Sequence, residues 1–310
     1  MKKNTIIQFI AIMLLALILG ILVKFTIDSM NENNLIKMSN EGMKRPDATL
    51  PGQMGNDNSS IEYSAIKKIS EDTTIESGEY SSDTADENAI LVNGDINVTL
   101  SNIEVNKTGD SDGGDSTSFY GINSAITAKD GANLTIENIE VTTEATGANG
   151  VFSYGGSATT NNSSSDGTEV NIRNATIITT KDNSGGIMTT GGGIMNASNL
   201  TVNTSGTSSA AIRTDRGGGK VTVNGGTFTT TGQGSPSIYS TANVTVSNSN
   251  LVAKASEGIV IEGKNTVTIN NCTLTDSNTK LNGQSTTYKN IFLYQSMSGD
   301  ALERKFRIYS

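Results

Sequence analysis

The stretch Asn133–Val141, NLTIENIEV, decides the fold, because the chain repeats it with small changes. Aligned on their fourth residue, the copies follow one another at steps of 36, 36, 23, 28, 23 and 23 residues. Self-similarity at a period of about 20–50 residues is typical of solenoids and propellers. The other copies are NVTLSNIEV (97–105), EVNIRNATI (169–177), the degenerate GGIMNASNL (192–200), KVTVNGGTF (220–228), NVTVSNSNL (243–251) and TVTINNCTL (266–274).

A second short segment recurs in the same phase, as in SAAIRTD (209–215) and SPSIYST (235–241). Apolar and polar residues alternate in both kinds of segment, which predicts half-buried strands. A unit of 23 residues is too short for a propeller blade, which needs about 40. The sequence therefore predicts an all-β fold, a single-stranded parallel β-helix solenoid of about eight coils. The longer steps predict loop insertions at Lys107–Phe119 and Ser157–Thr168.

One position of the repeat is occupied by asparagine in most copies. Asparagine and glycine tolerate a left-handed backbone, so this column predicts a repeated corner between strands. Stacked asparagine side chains can also donate hydrogen bonds from coil to coil. The column consists of Asn102, Asn138, Asn174, Asn248 and Asn271, with Gly225 in the copy at 220–228.

The N-terminus predicts a membrane anchor over residues 1–27, so that a transmembrane helix precedes the β-helix. Lys2 and Lys3 precede an apolar run at residues 6–23, which is near the minimum length for crossing a bilayer. Basic residues favour the cytoplasmic side, so we expect a single-pass protein of the cell membrane with an extracellular C-terminal domain. No small-x-small cleavage site follows the run, which favours an uncleaved anchor; cleavage would make the protein secreted.

The remaining segments follow from composition. Residues 28–60 are polar and lack a steady period, which predicts a stalk or linker, and the β-helix is expected over residues 61–297. Residues 298–310 form an irregular tail, in which ALERKFRIYS (301–310) lacks Gly, Asn and Thr and is basic. Two interpretations stay open: a truncated or frame-shifted chain, and a short native tail that caps the last coil.

The composition excludes several function classes. The chain of 310 residues has no His and one Cys, which excludes His-based triads, His-ligated metals and an intrachain disulfide. Its net charge of −9 argues against a nucleic-acid partner, because neutralising phosphates supplies most of that affinity.

The runs SGGIMTTGGGIMNASNLTVNTSGTSSAAIRTDRGGG (184–219) and EGIVIEGKNTVTINNCTLTD (257–276) carry a family resemblance. Over residues 61–297 the chain resembles adhesin-like, right-handed parallel β-helix surface proteins of Clostridium-like bacteria. The resemblance implies a right-handed coil and a location at the cell surface, and it carries no catalytic residue over. A non-enzymatic, adhesin-like surface protein is therefore the leading functional expectation.

The repeat also predicts an outward-facing column, one residue after the inward-facing Ile212 and its equivalents. Aromatic faces beside polar groups suit sugar rings or a protein partner. We expect a lateral binding face for a polysaccharide or a surface protein there; the alternative is that an inserted loop or the stalk covers it. The candidate binding residues are Phe152, Tyr154, Met188, Arg213, Asp215, Tyr239 and Phe292.

A carbohydrate-active enzyme, a polysaccharide lyase or glycoside hydrolase on the same fold, is the alternative function. Arg213, Asp215 and Arg216 precede three glycines, and Glu257 and Glu262 follow one or two coils later. No helix follows the glycines, which argues against a phosphate loop. Hydrolases use paired carboxylates, but no column of the alignment carries acids in successive coils. We therefore predict no catalytic residue and expect an Arg–Asp pair on the solvent face of a turn.

One acidic loop is a candidate metal site. Asp110, Asp112 and Asp115 lie close together in GDSDGGD (109–115), and carboxylates at such spacing can bind Ca²⁺. The loop lacks the glutamate of an EF-hand, and solvated acidic loops are common. Calcium is the only cofactor that the sequence suggests.

Overall fold

A computed structural model of the chain describes residues 61–111, 114–157, 165–278, 280–281 and 287–295. The predicted anchor (1–27), stalk (28–60) and tail (298–310) lie outside the described residues. Within the described ranges, no helix has the length and apolar character needed to cross a membrane.

The described part is nearly all β-structure, with one short helix. The strands of the first half are β1 (Ser64–Ile69), β2 (Thr73–Ile75), β3 (Gly78–Ser82), β4 (Glu87–Asn93), β5 (Asn97–Ser101), β6 (Ile103–Lys107), β7 (Ile126–Lys129), β8 (Asn133–Glu137), β9 (Glu140–Thr143), β10 (Val151–Tyr154), β11 (Glu169–Arg173) and β12 (Thr176–Thr179). Those of the second half are β13 (Ile187–Thr190), β14 (Gly193–Thr204), β15 (Ile212–Thr214), β16 (Gly219–Thr230), β17 (Ile238–Ser240), β18 (Asn243–Ala253), β19 (Ile259–Glu262), β20 (Thr266–Asn270), β21 (Thr273–Asp276) and β22 (Ile291–Tyr294). Helix α1 (Asp115–Tyr120) lies between β6 and β7.

The strands form two parallel sheets that wind around one core. Sheet 1 has nine strands in the order β1-β4-β7-β10-β13-β15-β17-β19-β22, one from each coil. Sheet 2 contains the other strands, two short ones or one long bent one from each coil. The prediction of an all-β solenoid of parallel strands is confirmed, and the fold is of the parallel β-helix type.

The register confirms most of the sequence alignment and corrects one copy. Leu100 pairs with Ile136, and Ile136 pairs with Ile172, as aligned. In the degenerate copy, Ile172 pairs with Ala197 rather than with Met195, which lies two residues earlier beside Val170. The correct corner is therefore at Asn199, whose φ is 51°.

The asparagine column forms a left-handed corner between the two halves of sheet 2. Positive φ angles between 50° and 55° occur at Asn102, Asn138, Asn174, Asn248 and Asn271, and Gly225 has a φ of 80°. Asn271 donates a side-chain hydrogen bond to Asn248 at 2.8 Å, and Asn248 donates one to Asn224 at 2.7 Å. The prediction of a repeated corner with coil-to-coil asparagine bonds is confirmed.

The core consists of stacked apolar columns. In sheet 1, Ile90, Ile126, Ile187, Ile212 and Ile238 lie one above another and are at most 1% exposed. Burying such a side chain contributes about 1.5–3 kcal/mol before chain entropy is counted.

A buried Thr–Ser ladder closes the corner that leads from sheet 2 back to sheet 1. Ser184 N donates to Ser209 Oγ, and Ser209 N donates to Ser235 Oγ, each at 2.9 Å. Buried threonines donate to the carbonyl five residues later, in the pairs Thr143–Ala148, Thr179–Ser184, Thr204–Ser209 and Thr230–Ser235. These bonds satisfy backbone groups that would otherwise be buried without partners.

Candidate functional site

The insertion between β6 and β7 lies across the outer face of sheet 1. Thr190 Oγ1 donates to the Phe119 carbonyl at 2.7 Å, and Arg213 Nη2 donates to Ser118 Oγ at 3.1 Å. The Arg216 guanidinium lies 4.2 Å from the centre of the Phe119 ring, which adds a cation–π contact. Helix α1 is thus held to the coils of β13 and β15.

The insertion buries the N-terminal part of the predicted outward column. Gly121, which ends α1 with a φ of 70°, packs so closely that a Cβ there would lie 2.6 Å from Phe152 Cγ. Phe152 and Met188 are both 0% exposed. The expectation that they line an open face is wrong, and the alternative, an inserted loop that covers them, is what the structure shows.

Tyr154 also belongs to this covered half. Its ring meets the Tyr120 ring edge to face, with centres 5.5 Å apart. The Tyr63 hydroxyl donates to the Tyr120 carbonyl at 2.7 Å, and burial raises the pKa of Tyr63 well above its ordinary value. The first described coil therefore also holds the insertion in place.

Arg213 and Asp215 mark the boundary of the covered half. Arg213 Nη2 and Asp215 Oδ2 are 3.1 Å apart, and the two side chains are only 11% and 9% exposed. Asp215 Oδ1 also accepts the Arg216 backbone N–H at 2.9 Å. The predicted pair exists, but it is largely buried rather than on the solvent face of a turn.

Tyr239, Glu262 and Tyr294 form a hydrogen-bonded network beyond this boundary. Glu262 Oε2 accepts the Tyr239 hydroxyl at 2.6 Å and the Tyr294 hydroxyl at 3.0 Å. Burial raises the pKa of Tyr239 well above its ordinary value, and the negative charge of Asp215 acts in the same direction. Burial also raises the pKa of Tyr294, which the hydrogen bond with Tyr239 partly opposes.

Phe292 and Tyr294 present two stacked rings on the last described strand of sheet 1. Their centres are 5.1 Å apart and their planes 13° apart, and both side chains are partly exposed. Lys289 Nζ lies 4.7 Å from the centre of the Phe292 ring. We call Tyr239, Glu262, Phe292 and Tyr294 the aromatic platform.

The structure thus divides the predicted column into two parts. Phe152, Tyr154 and Met188 lie on the covered half, whereas Tyr239 and Phe292 lie on the platform, with Arg213 and Asp215 between them. Sequence reasoning missed Tyr294 and the role of Glu262 in its network. The sequence repeat could have revealed both residues. Three residues after the inward isoleucine, three of the coils carry Asp215, Glu262 and Tyr294 at the same outward position.

Sheet 2 carries an acidic column that the sequence alignment also missed. Glu79 pairs with Glu104, and Glu104 pairs with Glu140, on three successive coils. Neighbouring strands are about 4.8 Å apart, and all three side chains are exposed beside a shallow groove at the corner of Asn102 and Asn138. The expectation that no column carries acids in successive coils is therefore wrong.

The structure describes the predicted calcium loop only in part. Asp110 Oδ1 accepts the Thr146 N–H at 2.7 Å, which holds the pKa of Asp110 below its usual value. Asp112 lies outside the described residues, and Asp115 begins α1. In the described part of the chain, no three acidic or cysteine side chains are grouped closely enough to bind a metal ion.

Comparison of the chain with protein-family models, with curated proteins and with solved structures found no match.

Proposed function

We propose that this chain is a non-enzymatic surface protein that binds a glycan on the aromatic platform. The observation that carries the proposal is the stacked Phe292–Tyr294 pair, which offers ring faces beside hydrogen-bonding groups. Sugar rings present apolar faces and hydroxyl edges, so partly exposed aromatic rings beside polar atoms suit them.

The carboxylates at and beside the platform are already buried and bound to neighbouring side chains, which supports binding rather than catalysis. Glu262 is 1% exposed and holds two tyrosine hydroxyls, while Asp215 is held by Arg213. A general acid or base must reach the reacting atoms, and neither carboxylate is open to a substrate. Glu257, the other acid considered, is fully buried, and Ser256 Oγ lies 3.3 Å from its Oε2.

The proposal includes a location at the cell surface. It is supported by the basic residues Lys2 and Lys3, which precede the apolar run at residues 6–23. It is also supported by the resemblance to adhesin-like β-helix proteins, from which we infer a right-handed coil. A single-pass anchor would hold the platform outside the cell, and cleavage of that segment would release the same platform.

An array of immobilised bacterial and plant polysaccharides tests the proposed function. Each ring contributes about 0.5–1.5 kcal/mol beyond the area it buries. Tyr294→Ala should therefore weaken binding to the retained polysaccharide by roughly two- to tenfold. Tyr294→Phe keeps the ring and should retain most of the binding, and Thr245→Ala on sheet 2 is the matched control. Equal retention of Tyr294→Ala and the control would refute the platform as the site.

A carbohydrate-active enzyme is the second candidate, and one observation favours it. Asp215 and Glu262 fall at the same position of coils two steps apart, so their backbones are about 9–10 Å apart at the strand spacing. Carboxyl separations of about 6.5–9.5 Å occur in inverting hydrolases. Incubating the protein with the retained polysaccharide separates the two candidates. We expect no new reducing ends and no unsaturated products; turnover that Glu262→Gln abolishes would replace the binding proposal.

A further inference from the structure

Charged residues are divided unevenly along the axis of the β-helix. Residues 61–182, up to the coil of β12, contain 20 acidic and 6 basic residues, which gives a net charge of −14. Residues 183–295, from the coil of β13 onward, contain 4 acidic and 7 basic residues, which gives a net charge of +3. The aromatic platform therefore lies in the positively charged half of a chain whose overall net charge is −9.

Burial makes this difference larger at the surface of the second half. Three of its four acidic residues are at most 7% exposed: Asp215, Glu257 and Glu262. Four of its lysines are exposed: Lys220, Lys254, Lys264 and Lys280. Among the described residues, no carboxylate lies within ion-pair distance of any of these four lysines. The surface charge that the last coils present to a partner is therefore mainly positive.

Two lysines flank the aromatic platform at opposite ends of its strands. Lys289 lies two residues before β22, and its Nζ is 4.7 Å from the centre of the Phe292 ring. Lys264 is exposed and lies two residues after Glu262, which ends the neighbouring parallel strand β19. The carboxylate of Glu262 is buried and accepts two tyrosine hydroxyls. The ring faces therefore lie between two cationic side chains, with no exposed carboxylate on the platform itself.

We propose that the glycan bound by the platform is an anionic polysaccharide, whose carboxylate or sulfate groups pair with Lys264 and Lys289 while its rings stack on Phe292 and Tyr294. This inference rests on the proposed function and adds the chemical class of the ligand. The positive surface of the last coils attracts such a polysaccharide and the acidic first coils repel it, which restricts it to the C-terminal coils. Exposed ion pairs are weakened by salt, so the bound state should be sensitive to ionic strength.

Matched pairs of polysaccharides test the preference for negative charge. Polygalacturonate and alginate are immobilised beside their neutral, carboxyl-reduced forms, and dextran sulfate is immobilised beside dextran. Retention of the full-length chain in detergent is then measured at low and at high salt. We expect at least one anionic polysaccharide to be retained roughly fivefold better than its neutral form at low salt, and high salt to remove the difference. Equal retention within every pair, or retention of no anionic polysaccharide, would overturn the inference.

Lysine variants distinguish this inference from the proposed site. Lys264→Gln should weaken retention of the anionic polysaccharide by roughly two- to fivefold, whereas Lys264→Arg should keep it. Lys68→Gln removes the same charge from an exposed position on β1 and is the matched control; an equal effect of Lys264→Gln and this control would overturn the inference. Weaker binding by Tyr294→Ala but not by Lys264→Gln would overturn the charge preference alone. Weaker binding by Lys264→Gln but not by Tyr294→Ala would overturn the platform as the site.

Discussion

Replacing Ser209 by Ala should destabilise the β-helix more than its single hydroxyl group suggests. The Ser209 side chain is fully buried, and its Oγ accepts the Ser184 N–H at 2.9 Å and donates to the Lys181 carbonyl at 3.0 Å. Alanine fits the site but accepts no hydrogen bond, so the Ser184 N–H remains buried without a partner. A buried unsatisfied group costs about 1–3 kcal/mol.

Urea unfolding followed by far-UV circular dichroism measures this loss. The slope increases with protein size, so a slope near the upper end of about 1–3 kcal/mol per molar urea is expected, and the Ser209→Ala midpoint should fall by roughly 0.3–1 M. Ser205→Ala is the matched control, because Ser205 lies on the same coil, is exposed and makes only long contacts of 3.5 and 3.4 Å. If both variants unfold at the same urea concentration, the ladder does not stabilise the coil as we argue.

Two further predictions address the corner and the tyrosine network. Asn138 has a φ of 54°, in the left-handed region that side chains other than asparagine and glycine rarely adopt. Asn138→Ala should therefore lower the free energy of unfolding by about 1–2 kcal/mol, and Asn138→Gly should lower it less. Equal losses of the two variants in a urea titration would contradict this explanation of the corner. Because burial raises the pKa of Tyr239, the folded state keeps a proton that the unfolded state loses above a pH of about 10. Stability should therefore fall as the pH rises from about 9 to about 11, and Tyr239→Phe should make this fall shallower; an unchanged slope would refute the assignment.

Much of the fold could be predicted because a parallel solenoid repeats one local geometry. The left-handed corner requires a residue such as Asn138 in each coil, and the inward columns require apolar residues at a fixed phase. The register failed only around Met195, because the small residue Ala197 takes the inward position that a larger apolar residue occupies in the other copies. The Ser184–Ser209 ladder was missed because polar residues inside a solenoid look like surface residues in the sequence.

The candidate site was predicted less completely, because its cover comes from distant parts of the chain. Arg213 contacts Ser118, which lies 95 residues earlier, and no repeat pattern indicates where an insertion folds back. Phe152 was correctly predicted to face outward from sheet 1. It is nevertheless buried, because the insertion covers it and Gly121, which has no side chain, packs against its ring. Sequence patterns determine which face a residue lies on, whereas long-range contacts determine whether that face is open.

The division of this face also limits how the proposed glycan binding can work. The insertion covers the coils of β10 to β15, so the platform extends only from β17 to β22, two coil steps or about 10 Å. A contact of this length involves few sugar rings, so we expect weak binding by a single platform. Many copies anchored in one membrane would bind a repeating polysaccharide through linked sites, which strengthens binding without any new contact. Copies coupled densely to beads should therefore retain the polysaccharide far better than the same protein free in solution; equal apparent affinity in both forms would contradict this mode of binding.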